Sequence, residues 1–165
     1  MNELDVRSLE AERDGLIAAA KTVLMASGGE ADGIPEMGVT PFVRHEGVIY
    51  IYPSHLSAHV RAMLDAGKGA FLIIEDEASA QNIWARKRMK INADIIEIDR
   101  QIDEFKVLCD LFTERHGPTM GLIRDFSDFH LLRLLPSDGV MVLGFAKAYR
   151  LSGPDLVVSE HLRSS

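Results

Sequence analysis

Residues 3 to 20 place Val6, Leu9, Leu16, Ile17 and Ala20 near helical spacing among Glu, Arg and Asp, a pattern that predicts a leading amphipathic helix. The period then shortens. "TVLMAS" reads as a first strand closed by a turn at "GGEADG", and from Met37 to Val43 the apolar Met37, Val39 and Val43 alternate with Gly38, Thr40 and Phe42. Pro41 argues for an edge or a bulge in that strand, and Glu46-Gly47 turns it into a hairpin with "VIYIY". Ser57 is the expected N-cap of a short helix with an apolar stripe of Leu56, Val60, Met63 and Leu64, ending near Gly67.

"GAFLIIED" has the continuous apolarity of a strand buried on both faces, whereas the run from Trp84 to Ile98 has period two. Met89, Ile91, Ala93 and Ile95 share one side of that run; Arg86, Arg88, Lys90 and Asn92 share the other. A second long helix follows, with Ile102, Phe105, Leu108, Cys109 and Phe112 inward, and Gly117-Pro118 stops it. "FHLLRLL", "GVMVLGF" and "AKAYRL" supply two or three more strands, the first two joined by a turn at "PSDG". Hairpin order without regular βα alternation predicts an α+β, mainly β protein: a closed antiparallel barrel with flanking helices, one domain over residues 1–165.

Charge sharpens the question. The chain carries a formal net charge of −7, so a basic surface for nucleic acid is not expected, yet Arg86, Arg88 and Lys90 stand at alternate positions. Two readings remain open on sequence alone: a hydrated outer face, or a pocket whose anionic ligand neutralises the cations, with Arg suited to grip carboxylate or phosphate. Apolar runs are too short to span a membrane and the acidic N-terminus does not resemble a signal peptide, so a cytoplasmic location without membrane partners is expected. The single cysteine, Cys109, reads as a small buried residue.

Dinucleotide and P-loop glycine motifs and a nucleophile elbow are absent from the sequence. His55 and His59 are four apart, but His55 precedes the helix and the pair makes a poor zinc site; Glu75 to Glu77 reads as a charged strand end. Asp125 and Asp128 could be caps. His161, within "SEHLR", lies in a tail that could fold over a ligand, and a neutral imidazole is a natural donor if that ligand contains iron.

The succession "TPFVR", "IYIYPSHLSAHVRAML", "FLIIEDE", "ARKRMKI", "FTERHGP", "SDFHLLRLLPSDG" and "LGFAKAYRL" resembles the haem-utilisation, HugZ/HutZ-type branch of the pyridoxamine 5′-phosphate oxidase-like, FMN-binding split-barrel superfamily. The resemblance runs from about Thr22 to Leu151. It implies a split, Greek-key barrel of six or seven strands that dimerises, with two ligand sites at the subunit interface. In the haem branch those sites hold haem, which members bind or oxidatively degrade to release iron with electrons from a donor or reductase.

By this resemblance Arg88 lines the haem cleft and Asp128 reaches the axial histidine across the subunit boundary. His161, the sole histidine of the tail at 152–165, is the counterpart of that iron ligand. The alternative is an FMN-dependent oxidoreductase, in which Ser54, Arg61, Arg86 and Arg88 would meet the phosphate. One departure is Ala146, where the pattern after Gly144-Phe145 has glycine; it is expected to matter little.

Overall fold

The computed structural model describes residue 1, residues 3–28 and residues 33–163, so most of the expected turn at "GGEADG" lies outside the described residues. Helix α1 (Glu3–Ala19) leads into β1 (Thr22–Ser27), β2 (Glu36–His45) and β3 (Val48–Ile51). Helix α2 (Ala58–Ala66) precedes β4 (Lys68–Ile74) and β5 (Arg88–Glu97); α3 (Asp103–His116) and α4 (Thr119–Ile123) precede β6 (Leu132–Gly144), β7 (Lys147–Ser152) and β8 (Val157–Leu162). The strands form one antiparallel sheet in the order β3-β2-β1-β4-β5-β6-β7-β8, and β3 also pairs with β6, closing β1 to β6 into a barrel. The expected α+β barrel with flanking helices is what the chain forms.

Strand β6 makes the split. Its first residues, Leu132 and Arg133, pair with β3, while Asp138 to Gly144 pair with β7. Between them the register against β5 shifts, Asn92 facing Asp138 and Ala93 facing Pro136, which leaves Ser137 as the extra residue of a bulge. "PSDG" is therefore not the turn that its composition predicts. Pro136 has no amide to give a ladder, and a bulge is where a strand tolerates that loss.

Alternate residues fill the barrel. Val23, Met25, Phe42, Ile51, Phe71, Ile73, Met89, Ile91, Leu132 and Met141 are buried together, and α1 and α2 cap them with Leu16, Ile17, Val60 and Met63. A second cluster joins the outside of β3 to α3 and α4 through Tyr50, Tyr52, Phe105, Leu108, Phe112 and Met120. Cys109 belongs to this cluster, as its helix position predicts, and burial raises its thiol pKa.

Four expectations change. Strand β4 is buried on one face only: Phe71 and Ile73 point inward, while Ala70, Leu72 and Ile74 are half-buried. In β2 the inward set is Thr40 and Phe42, leaving Met37 and Val39 outside at 63% and 62% exposure. The strand expected from Trp84 starts only at Arg88, because the Asn82 side chain accepts the Trp84 amide and winds Ile83–Ala85 into a 3-10 turn. The tail forms β8, paired with β7 through a bulge at Arg150/Leu151.

Candidate functional site at two ends of the barrel

Strand β5 separates the candidate residues. Arg88 is its first residue and Glu97 its last, and ten residues of strand span about 30 Å.

At the Arg88 end, Arg88 lies in line across the sheet with Val142, Ala148 and Leu162, so His161 stands on the same border three strands away. The His161 ring stacks on Tyr149 with centroids 4.9 Å apart, and its Nε2 is 2.9 Å from the Ala146 carbonyl oxygen. A carbonyl only accepts, so Nε2 carries the proton and Nδ1 is the atom with a lone pair. Ala146 has φ of 55°, in the left-handed region, which gives a physical reason for glycine in the family pattern. The alanine therefore carries backbone strain in the turn that holds His161.

The basic row is shorter than the sequence spacing suggests. Arg86 precedes β5 and folds back, its guanidinium donating to the Glu75 carbonyl at 2.5 and 3.2 Å and to Glu77 at 3.3 Å. Arg88 and Lys90 do share the outer face, Arg88 flanked by Ile74 and Val142 and Lys90 by Leu72 and Val140. Lys90 donates to the Asn92 side chain, which in turn donates to Asp138 at 2.9 Å. Two cations thus sit on an apolar sheet face that continues through Leu24 to Val39. The nearby tip is also apolar, with Trp84 exposed at 84% and Phe145 at 69%. Such a face on an isolated chain has not found its cover.

At the Glu97 end, the segment after α4 is pinned beside the start of α2. Ser54 and Phe129 form an isolated bridge; the His55 amide donates to the Asp128 carbonyl at 2.8 Å and the His130 amide to the Pro53 carbonyl at 2.9 Å. Ser54 Oγ donates to Asp128 Oδ2 at 2.5 Å and accepts the Leu56 amide at 3.1 Å. Arg61 Nη1 donates to the carbonyls of His55 and Leu56 at 2.7 and 2.9 Å. A cavity of about 410 Å³ opens next to Ser54, walled by Val39, Phe112, Met120 and Phe129 and bordered by His59. Burial pushes the His59 pKa down, and its ring lies so close to Gly38 that a Cβ there would come within 2.1 Å.

Sequence reasoning missed the residues that hold this loop. Arg100 donates to the carbonyls of Arg124, Phe126 and Phe129 at 2.8, 2.6 and 2.6 Å, and its guanidinium carbon lies 5.1 Å from the Phe105 ring centre. We expect Arg100→Ala to leave the barrel folded but to release residues 124–129, seen as about tenfold faster amide exchange there than in the strands, because the carbonyls lose charge-assisted bonds. His130 and Glu97 were also unremarked, since only tertiary contact, His130 Nδ1 to Glu97 Oε1 at 2.6 Å, brings them together.

One chain therefore does not gather its candidates. Ser54, Arg61 and Asp128 lie at one end; Arg86, Arg88 and His161 lie at the other.

A six-stranded closed barrel with β7 and β8 diverging from β6 defines the split-barrel class. The crystal structure of a Clostridium acetobutylicum protein related to general stress protein 26, of the pyridoxinephosphate oxidase family, superposes with a TM-score of 0.65 at 15% identity, covering 88% of this chain and 94% of that one; this shows the shared fold. Heme oxygenase HutZ of Vibrio cholerae serotype O1 is 32% identical over 142 residues, 86% of this chain and 80% of HutZ. The chain belongs to the HutZ family. The crystal structure of HutZ, the heme storage protein of Vibrio cholerae, matches with a TM-score of 0.70 at 28% identity over 78% of this chain and 90% of that chain. ChuZ of Campylobacter jejuni matches with a TM-score of 0.81 at 25% identity over 94% of this chain and 63% of its own. No family model matches the chain. Among the described residues, no helix is long and apolar enough to cross a membrane.

Proposed function

We propose that this chain is a haem-binding protein of haem utilisation that acts as a homodimer in the cytoplasm, each cleft combining the Asp128 end of one copy with the Arg88 and His161 end of the other. The observation that carries this reading is the separation of the candidates within one chain, together with an uncovered apolar face bearing Arg88 and Lys90. A second copy would cover that face and bring the two ends together. HutZ membership supports haem as the ligand.

The residues present suit an acidic, planar, largely apolar molecule. Arg88 and Lys90 offer cations for propionates, and the cavity beside Ser54 offers an apolar wall. His161 offers an imidazole whose N–H, now donated to the Ala146 carbonyl, would pass to the Asp128 carboxylate of the second copy. Exchanging a neutral acceptor for a carboxylate makes the imidazole a stronger donor through its other nitrogen. Haem would then be the substrate of an oxidoreductase, supplying both the redox iron and the ring that is opened, with electrons from an external donor or reductase.

The flavin alternative finds less support. Of the four residues assigned to an FMN phosphate, Ser54, Arg61 and Arg86 are each bonded internally, and Arg88, which itself donates one guanidinium N–H to the Arg86 carbonyl at 3.0 Å, lies on the apolar face. Parallel titrations with haemin and FMN separate the readings: a Soret band saturating with haemin, and no flavin spectral shift, is the expected result. Tight FMN binding without a Soret band overturns the proposal, as does a protein that sediments as a monomer with and without haemin.

A further inference from the structure

Glu97, His130 and His55 form a continuous chain of hydrogen bonds that neither the family resemblance nor the haem reading uses. His130 Nδ1 is 2.6 Å from Glu97 Oε1, and His130 Nε2 is 2.7 Å from His55 Nδ1. The carboxylate requires the proton on His130 Nδ1, so in the neutral pair His130 Nε2 accepts and His55 Nδ1 donates. The rings tilt by 48° with centroids 5.0 Å apart, a geometry that serves the N–H···N bond rather than stacking.

These two imidazoles sit across the junction that positions Asp128. The His55 amide holds the Asp128 carbonyl, the His130 amide holds Pro53, and the Ser54 hydroxyl between them holds the Asp128 carboxylate. We propose that the Glu97–His130–His55 chain positions Asp128 in a proton-dependent way: the segment 128–130 stays closed on 53–55 while the pair holds at most one added proton, and opens when both rings are charged. This deepens the haem reading, since it rests on Asp128 belonging to the cleft.

An N–H···N bond needs one unprotonated nitrogen. A first added proton can be shared along the chain and is balanced by Glu97. A second leaves two N–H groups facing each other at bonding distance, so attraction becomes repulsion. The other charged groups around the pair are Arg61, which bonds the His55 carbonyl from α2; Arg100, which bonds the Phe129 carbonyl; and Asp128. The two arginines add to the positive charge when the second proton arrives. Asp128 is already engaged by Ser54, and Glu97 can offset only one of the two ring charges.

The test follows amide exchange and haem release together. In the haem-free protein, lowering pH from about 7.5 to about 5 is expected to reduce protection of the His55 and His130 amides about tenfold relative to the barrel strands, the scale of one charge-assisted bond. His130→Asn leaves a single imidazole at the junction, so two facing charged rings cannot form, and protection should lose that pH step after correction for intrinsic exchange, even if it is lower throughout. Haemin dissociation should accelerate over the same pH interval in the wild type and lose that step in the variant. Unchanged relative protection down to pH 5, or the same pH step in His130→Asn, overturns the proton-dependent closure. Opening without any change in haemin dissociation overturns its link to the cleft. A wild type that binds no haemin at pH 7.5 but still shows the exchange step sinks the haem reading instead, and with it the link to the cleft.

Discussion

His161→Ala will abolish the sharp Soret band of the haem complex, and Asp128→Ala will weaken and broaden it, but mixing the two variant chains will bring back part of what each lost. Asp128 is anchored at the Glu97 end of β5 and His161 at the Arg88 end, about 30 Å of strand away, so a cleft that uses both must draw them from different copies. In a mixed dimer, one cleft pairs the intact His161 of the Asp128→Ala chain with the intact Asp128 of the His161→Ala chain. The other cleft carries both lesions. Refolding or subunit exchange of an equal mixture should therefore return a sharp, wild-type-like Soret component, set by the share of mixed dimers, which neither homodimer shows. No recovery in a mixture shown to contain mixed dimers would mean that each chain builds its site alone, and the two-copy cleft would be wrong.

The same geometry explains why the effects differ in size. On the proposed reading, removing His161 would take away the iron donor itself. Removing Asp128 leaves that donor with a poorer hydrogen-bond acceptor, and changes in such outer partners alter affinity by roughly 10- to 100-fold. Removing Arg88 takes one cation from a face that also carries Lys90, so the loss should be smaller than for His161 and partly relieved by raised ionic strength in the wild-type comparison.

Much of this architecture was legible because strand and helix periods are local. The inward series Met89, Ile91 and Ala93, and the helical stripe Phe105, Leu108 and Phe112, read directly as one face each and are buried as such. Errors arose where a tertiary partner decided the outcome. "PSDG" has turn composition, yet β5 stays paired on both sides of it, and a bulge costs less than abandoning the ladder. Arg86 fits the alternation of Arg88 and Lys90, but the Asn82 side chain captures a backbone amide first and turns the chain away. The tail strand β8 was hidden because its pairing with β7 slips by a bulge at Arg150/Leu151. As for the proposed site, Arg88, Asp128 and His161 are assigned through family likeness, whereas Arg100 and the Glu97, His130 and His55 chain come from segments far apart and carry no local spacing to read.

Gly139→Ala should be the most damaging single-methyl change in the barrel. Gly139 is buried in the middle of β6, opposite Ile91 on β5 and Leu151 on β7, in a conformation that any residue could adopt. The obstacle is space: a Cβ there would come 2.6 Å from the Lys90 carbonyl oxygen and 3.6 Å from the Ile91 Cα, both backbone atoms held in the sheet. A flexible side chain could swing aside, but a ladder carbonyl can move only by parting β5 from β6. Overpacking of this kind costs about 1–3 kcal/mol, and the upper end is expected here because the atom in the way is backbone. Urea unfolding should show a lower midpoint with unchanged slope. Gly121→Ala is the control, since that position in α4 has open space around it and regular backbone; there the added methyl should be neutral or stabilise by up to about 1 kcal/mol. The clash also bears on binding, because the seam it opens carries Arg88 and Lys90 against Val142 and Val140. Haemin affinity should fall in Gly139→Ala below its unfolding midpoint, while the folded fraction is still complete. Wild-type stability and affinity in that variant would show that β5 and β6 can part without disturbing the cationic face, contrary to the rigid seam on which the cleft depends.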